Sequence, residues 1–116
     1  MIESKRFGSK KALIDIDETI CFYSDKRAYE LAEPNFDNIA KINKLYDEGH
    51  QIIYLTARGM GRSGDNADLA NRMFYEMTFH QLNRWGCKFH KLVLGKPSGD
   101  HYIDDKGINA NEFFGD

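Results

Sequence analysis

The segment Ala12-Leu13-Ile14-Asp15-Ile16-Asp17-Glu18-Thr19 constrains this chain more than any other. Three apolar residues run directly into two carboxylates spaced i and i+2. In an extended chain, side chains two apart point the same way. Asp15 and Asp17 should therefore project together from the end of a buried strand. Two bare carboxylates there are costly unless a cation or a reacting group compensates them. The spacing suits a divalent metal, with one carboxylate as nucleophile and the other as general acid/base.

The rest of the sequence alternates strand and helix patterns. A first strand is expected over 11–16. Residues 17–35 are less regular and end near Pro34. Phe36, Ile39, Ile42, Leu45 and Tyr46 keep helical spacing, with Gly49 as a stop signal. A second strand over 51–55 ends at Thr56, and a glycine-rich loop, 58–64, follows. The spacing predicts a long helix over 66–85 that buries Ala70, Met73, Phe74, Met77, Gln81 and Trp85, and Gly86 ends it. A third strand is expected over 89–94, and a short fourth over 101–103 leading into Asp104-Asp105. Asn109-Ala110-Asn111-Glu112 resembles a capping box that opens a final short helix. This alternation implies an α/β fold with a mostly parallel central sheet and helices on its faces. In such sheets ligands bind beyond the carboxyl ends of the strands. Asp15 and Asp17, Thr56, and Asp104 and Asp105 all fall at such ends.

With 116 residues, the chain is expected to form one domain, 1–116, able to bury roughly 65% of its unfolded surface. A net charge of −2 argues against a dedicated nucleic-acid or membrane-surface binder. Lys5, Arg6, Lys10 and Lys11 make only a modest basic patch, read as a solvated leader. No apolar run approaches the ~20 residues of a membrane span. The start lacks the apolar stretch of a secretory signal. Cys21 and Cys87 form no CxxC pair and are read as reduced, in a cytoplasmic protein.

Four signals then line up in order: Asp15-x-Asp17-x-Thr19, Leu55-Thr56-Ala57-Arg58, Gly95-Lys96-Pro97 and Ile103-Asp104-Asp105. Together they resemble the four motifs of the haloacid dehalogenase superfamily, in its phosphatase branch, across residues 12–105. The resemblance implies a Rossmann-like three-layer fold and a Mg²⁺ cofactor. It makes Asp15 the nucleophile that forms an aspartyl-phosphate, and Asp17 the acid and base. Thr56, with Ala57 and Arg58 beside it, would hold the phosphoryl group. Lys96 would balance its charge. Asp15, Asp104 and the backbone carbonyl of Asp17 would ligate Mg²⁺, a hard cation suited to oxygen ligands. Asp105 is either a ligand or a group that orients Asp104 or Lys96. The presence of Asp17 favours phosphate-ester chemistry over dehalogenation.

The chain departs from the family pattern in two places. Only residues 95–100 separate the third and fourth expected strands, whereas a parallel crossover normally needs about a dozen. The helix that usually precedes the last motif looks deleted, which leaves Lys96 on a tight loop with Lys88 and Lys91 as competitors. Neither the insertion at 20–35 nor the loop at 57–65 can hold a cap domain, so a capless member is expected. Its open site calls for a large substrate or a neighbouring subunit to exclude water. Phe22, Tyr23, Arg27 and Tyr29 either line the mouth or pack on the sheet. Gly59-Met60-Gly61-Arg62-Ser63-Gly64 matches GxGxxG, but Thr56-Ala57-Arg58 intervenes and no acid follows the next strand, so a mobile loop beside the site is the better reading. Arg58 and Arg62 either reach substrate anions or are solvated. No histidine pair has metal-ligand spacing.

The expected activity is Mg²⁺-dependent hydrolysis of a small phosphomonoester, by analogy a sugar phosphate of surface-polysaccharide biosynthesis. The competing readings are a phospho-accepting signalling domain and a catalytically silent binding or regulatory domain.

Overall fold

The computed structural model describes residues 10–22 and 28–115. Tyr23 and Arg27, expected near the mouth of the site, lie outside the described residues, as do Lys5 and Arg6. The described residues form a compact α/β domain.

Three strands make a parallel sheet: β1 (Lys11–Ile14), β4 (Gln51–Thr56) and β5 (Lys91–Leu94), in the order β1-β4-β5. Between β1 and β4 lies a two-stranded antiparallel ribbon of β2 (Cys21–Phe22) and β3 (Glu33–Pro34), with a 3-10 turn at Tyr29–Leu31. The helices are α1 (Phe36–Asp47), α2 (Ala67–Arg84) and α3 (Ala110–Phe114). Among the described residues, no helix is long and apolar enough to cross a membrane.

The register aligns burial across the sheet. Ile14 pairs with Tyr54, and Tyr54 with Leu92; Ala12 pairs with Ile52; Thr56 pairs with Leu94. These residues share one face, and all but the half-buried Ala12 are buried. Two successive parallel crossovers run in the same direction, and the right-handed rule for such connections delivers α1 and α2 to the same side. Ile39 and Ile42 of α1 and Leu82 of α2 join that face in a single core. On the opposite face Ile53, Leu55 and Val93 are half-buried and Leu13 is 60% exposed.

Local chemistry sets the helix ends. The side chains of Asn35, Asn66 and Asn109 accept the N–H groups of Asn38, Leu69 and Asn111. Each thereby satisfies one of the orphan donors of a first turn. Asn38 also donates from Nδ2 to the Thr19 carbonyl at 2.9 Å, which fastens α1 to the turn that follows β1. The Asn109 cap fits the expected start of the last helix.

Three sequence expectations fail here. Among the described residues α1 and α2 share one face of the sheet, so the expected three layers do not form. The fourth strand over 101–103 does not form. That segment has no strand pairing and Ile103 is 98% exposed. The connection is too short for a crossover, and Tyr102 donates its hydroxyl to the Pro97 carbonyl at 2.7 Å, folding the segment back on itself. The buried stripe of α2 is also displaced. Ala70 and Gln81 are buried as expected, with Thr78 and Leu82, but Met73 is exposed. The helix turns toward a buried polar group supplied by the loop after β4.

That loop packs tightly. Met60 is buried, and Gly59 sits at φ +81° against α2. A Cβ on Gly59 would lie 2.6 Å from Phe74 Cδ2 and 3.1 Å from Ala70 Cβ. Gly59→Ala is therefore expected to lower stability by about 1–3 kcal/mol through backbone strain and crowding together. Urea denaturation would measure it; an unchanged midpoint would refute the close approach.

Candidate active site

The carboxyl ends of the three parallel strands deliver the site. Asp15 follows β1, Thr56 closes β4, and Lys96 lies just beyond β5. Adjacent strand ends are held in register by the Lys96 N–H, which donates to the Thr56 carbonyl at 3.2 Å. The Lys96 ammonium comes to 3.9 Å from Asp15 Oδ1. It also lies 4.1 Å from the centre of the Tyr102 ring, a cation–π contact. A carboxylate from one outer strand and an ammonium from the other thus meet over the end of the middle strand. Lys96 holds this place. Lys88 instead pairs with Asp47 at 2.9 Å on the surface, and Lys91 is exposed within β5.

The Asp15 side chain keeps 40% of its area exposed. Even so, desolvation raises its carboxyl above the usual 3.8. Lys96 and the Ile16 N–H oppose that rise, and Asp17 adds to it. Carboxyls raised by burial beside cations, here Lys96 and Arg58, gather at functional sites more often than elsewhere.

The chain reverses tightly after Asp17. Thr19 N–H and Ile20 N–H both donate to the Ile16 carbonyl, and Glu18 N–H donates to the Cys21 carbonyl. Glu18 itself takes φ 63°, a left-handed conformation that costs a non-glycine residue about 1–3 kcal/mol. The turn brings Cys21 back to Asp17, with its sulfur 3.6 Å from Asp17 Oδ1. Burial, with Asp17 second, pushes the Cys21 thiol up to about 12. Cys87 is pushed up to about 11 by burial. Both cysteines are free and buried, the setting of a structural thiol.

Asp17 is engaged in a way the sequence reading did not foresee. Arg58 donates from Nε to Asp17 Oδ2 and from Nη2 to Asp17 Oδ1, each at 3.0 Å. Arg58 is fully buried, while Asp17 keeps 16% of its side chain exposed. Neither earlier option for Arg58, reaching substrate or lying in solvent, holds. Its Nη1 donates to Thr78 Oγ1 at 3.2 Å and Gln81 Oε1 at 2.7 Å, both on α2. The sequence did carry a signal. Thr78 and Gln81 are polar and three residues apart on a buried helix face, and buried polar groups require partners.

Tyr29 is likewise in the core rather than at the mouth. Its hydroxyl accepts the Gly59 N–H at 3.1 Å, and its ring packs edge-on against Phe74. The guanidinium groups of Arg58 and Arg62 lie 4.9 and 4.8 Å from its centre. Phe22 is exposed, as a residue at the mouth would be. Thr56 is buried, and its Oγ1 accepts the Arg58 N–H at 3.1 Å, the loop-capping role. The hydroxyl keeps its own hydrogen for a further partner. Ala57, the residue between, is half-buried.

Asp104 does not join the other carboxylates. It is fully exposed, and its Oδ1 accepts the Lys106 N–H at 2.9 Å. That bond, followed by one with Asp105, holds its carboxyl below the usual range. Asp105 is exposed and 3.6 Å from Lys106 Nζ. Among the described residues, no group of three or more His, Cys, Asp or Glu side chains gathers as a cation cradle. The expected set of Asp15, Asp17 and Asp104 is therefore not assembled. The cause is the missing fourth strand, whose carboxyl end was to carry Asp104.

No protein-family profile matches the chain, and no curated protein matches it significantly. Among solved structures, a structural-genomics target protein from Vibrio cholerae is similar. It has a TM-score of 0.81 at 27% sequence identity, over 91% of this chain and 88% of that one. The likeness spans nearly the whole of both chains.

Proposed function

We propose that this chain is a phosphomonoester hydrolase that works through an aspartyl-phosphate on Asp15, built on the Rossmann-like, capless phosphatase plan of the haloacid dehalogenase superfamily. The observation that carries the reading is the meeting of Asp15 and Lys96, 3.9 Å apart, over the carboxyl end of the middle strand. A partly exposed carboxylate at the mouth of a parallel sheet can reach a phosphorus atom, and the ammonium offsets the charge that gathers there.

An Asp15 oxygen attacks phosphorus as the bond from phosphorus to the ester oxygen breaks. The departing oxygen takes a proton from Asp17. Water then attacks the phosphorus of the acyl phosphate and gives a proton to Asp17. The bond from phosphorus to Asp15 breaks, releasing inorganic phosphate and restoring the carboxylate. Each Asp17 oxygen has one bond to Arg58, Oδ1 also faces the Cys21 thiol, and Oδ2 keeps lone-pair capacity for this exchange. Thr56, buried and tied to the Arg58 N–H, is given no contact with the phosphoryl group.

Mg²⁺ is the cation that hard carboxylate oxygens would take. The residues as placed do not fit it, because Asp104 stands apart in solvent and leaves Asp15 without the second carboxylate ligand expected beside it. No step is assigned to it. The engagement of Asp17 favours a second reading, a phospho-accepting or silent domain in which the acyl phosphate is long-lived.

One experiment separates the two readings: turnover of p-nitrophenyl phosphate with Mg²⁺ supplied, together with the lifetime of the phosphorylated protein. Multiple turnovers with a phosphoenzyme lasting under a minute are expected. A single equivalent of nitrophenol and a phosphoprotein stable for hours would reverse the choice. A following panel of phosphorylated metabolites should favour sugar phosphates. A hundredfold preference for nucleotides would refute that substrate class.

A further inference from the structure

We infer that Arg58 is a positioning residue, whose guanidinium fixes the plane and direction of the Asp17 carboxylate without touching the substrate. The inference rests on the phosphatase reading of the same site.

The guanidinium is held on every side. One edge makes the paired 3.0 Å bonds to Asp17. Nη1 is anchored by Thr78 and Gln81 of α2. Gln81 is itself held, because its Nε2 donates to the Tyr29 carbonyl at 2.8 Å. The Tyr29 ring lies 4.9 Å from the guanidinium carbon. Behind the side chain, the Arg58 N–H is tied to Thr56 Oγ1.

A guanidinium with no exposed surface cannot meet an incoming phosphoryl group. What it meets is Asp17, which keeps part of its surface open. The planar fork of arginine fixes a carboxylate in two directions at once, which the single ammonium of lysine cannot do. A proton-transfer group displaced by about 1 Å can lose roughly a hundredfold in rate. A buried ion pair is weak support for stability as such, since well-packed apolar residues often do as well. Orientation of Asp17 is the role that this geometry serves directly.

The test is a kinetic double-mutant cycle on p-nitrophenyl phosphate with Arg58→Lys, Asp17→Asn and the two together, each checked for fold by circular dichroism. Arg58→Lys should lower kcat roughly a hundredfold and leave KM within threefold. The double variant should be no slower than Asp17→Asn alone, because Arg58 acts through Asp17. If Arg58→Lys does not fold, Gln81→Met loosens the same anchor and should lower kcat about fivefold at unchanged KM. A KM raised tenfold with kcat retained, losses that multiply in the double variant, or unchanged kinetics in the folded variants would overturn the inference alone. A wild-type protein without turnover would overturn the phosphatase reading, and this inference with it.

Discussion

Asp15→Asn is expected to abolish phosphate-ester hydrolysis while leaving the protein at least as stable as wild type at pH 7. Loss of a nucleophile should lower kcat by roughly 10³-fold or more. The stability half follows from the carboxyl's position. Burial raises the Asp15 pKa above 3.8. Between 3.8 and that raised value, the native state holds more protons than the unfolded chain, so the contribution of Asp15 to stability falls as pH rises through the window. Above the window the native ionised carboxylate opposes folding, and an asparagine relieves that cost. The gap between variant and wild type should close as pH falls below about 4. Thermal melts across pH 3–7, run beside the activity assay, read both halves. Equal turnover in the two proteins would remove Asp15 from the chemistry. A variant much less stable at pH 7 would show that the carboxylate is there to hold the fold.

The largest stability loss is expected from Asp17→Ala. It leaves Arg58 with no counter-charge and no access to water. Two hydrogen bonds from Nη1 remain, but Nε loses its partner and Nη2 keeps only the Cys21 sulfur at 4.0 Å. Breaking a buried pair from one side costs about 3–5 kcal/mol. For a domain of this size, a loss of about 3 kcal/mol lowers Tm by roughly 15 °C. The exposed pair Lys88–Asp47 supplies the contrast, because its 2.9 Å separation in solvent is worth under about 1 kcal/mol. Asp47→Ala should therefore shift Tm by no more than a few degrees. Similar shifts in both variants would mean that Arg58 finds water in solution, and that its burial does not hold.

Much of the scaffold was legible because its causes are local. The apolar run over 52–55, the helical spacing of Ile39 and Ile42, and the apolar run into Asp15 are each patterns spanning a few residues. The free, buried cysteines and the cap at Asn109 were also readable. The expected fourth strand was not a local matter. Residues 101–103 have strand-forming side chains, yet a strand exists only if a partner edge can be reached. The six residues before it, with Gly95, Pro97 and Gly99 among them, are too few for a crossover. Asp104 was misplaced for that reason alone. Arg58 was misread because an arginine beside a candidate phosphate site suggests an anion-binding role, and nothing near it in sequence contradicts that.

By itself, the sequence determined the succession of the three parallel strands and the three α-helices, and the placement of Asp15, Thr56 and Lys96 at strand ends. Periodicity and turn chemistry act over single turns and strand segments, so they survive without knowledge of the fold. Tertiary structure alone decided which partner each charged group takes. Asp17 and Arg58 are 41 residues apart, and Arg58 and Gln81 are 23 apart. The parallel pairing of β1 with β4 brings the first pair together, and the packing of α2 brings the second. Once there, the guanidinium is out of water, and its strongest available partner is the carboxylate at the end of β1.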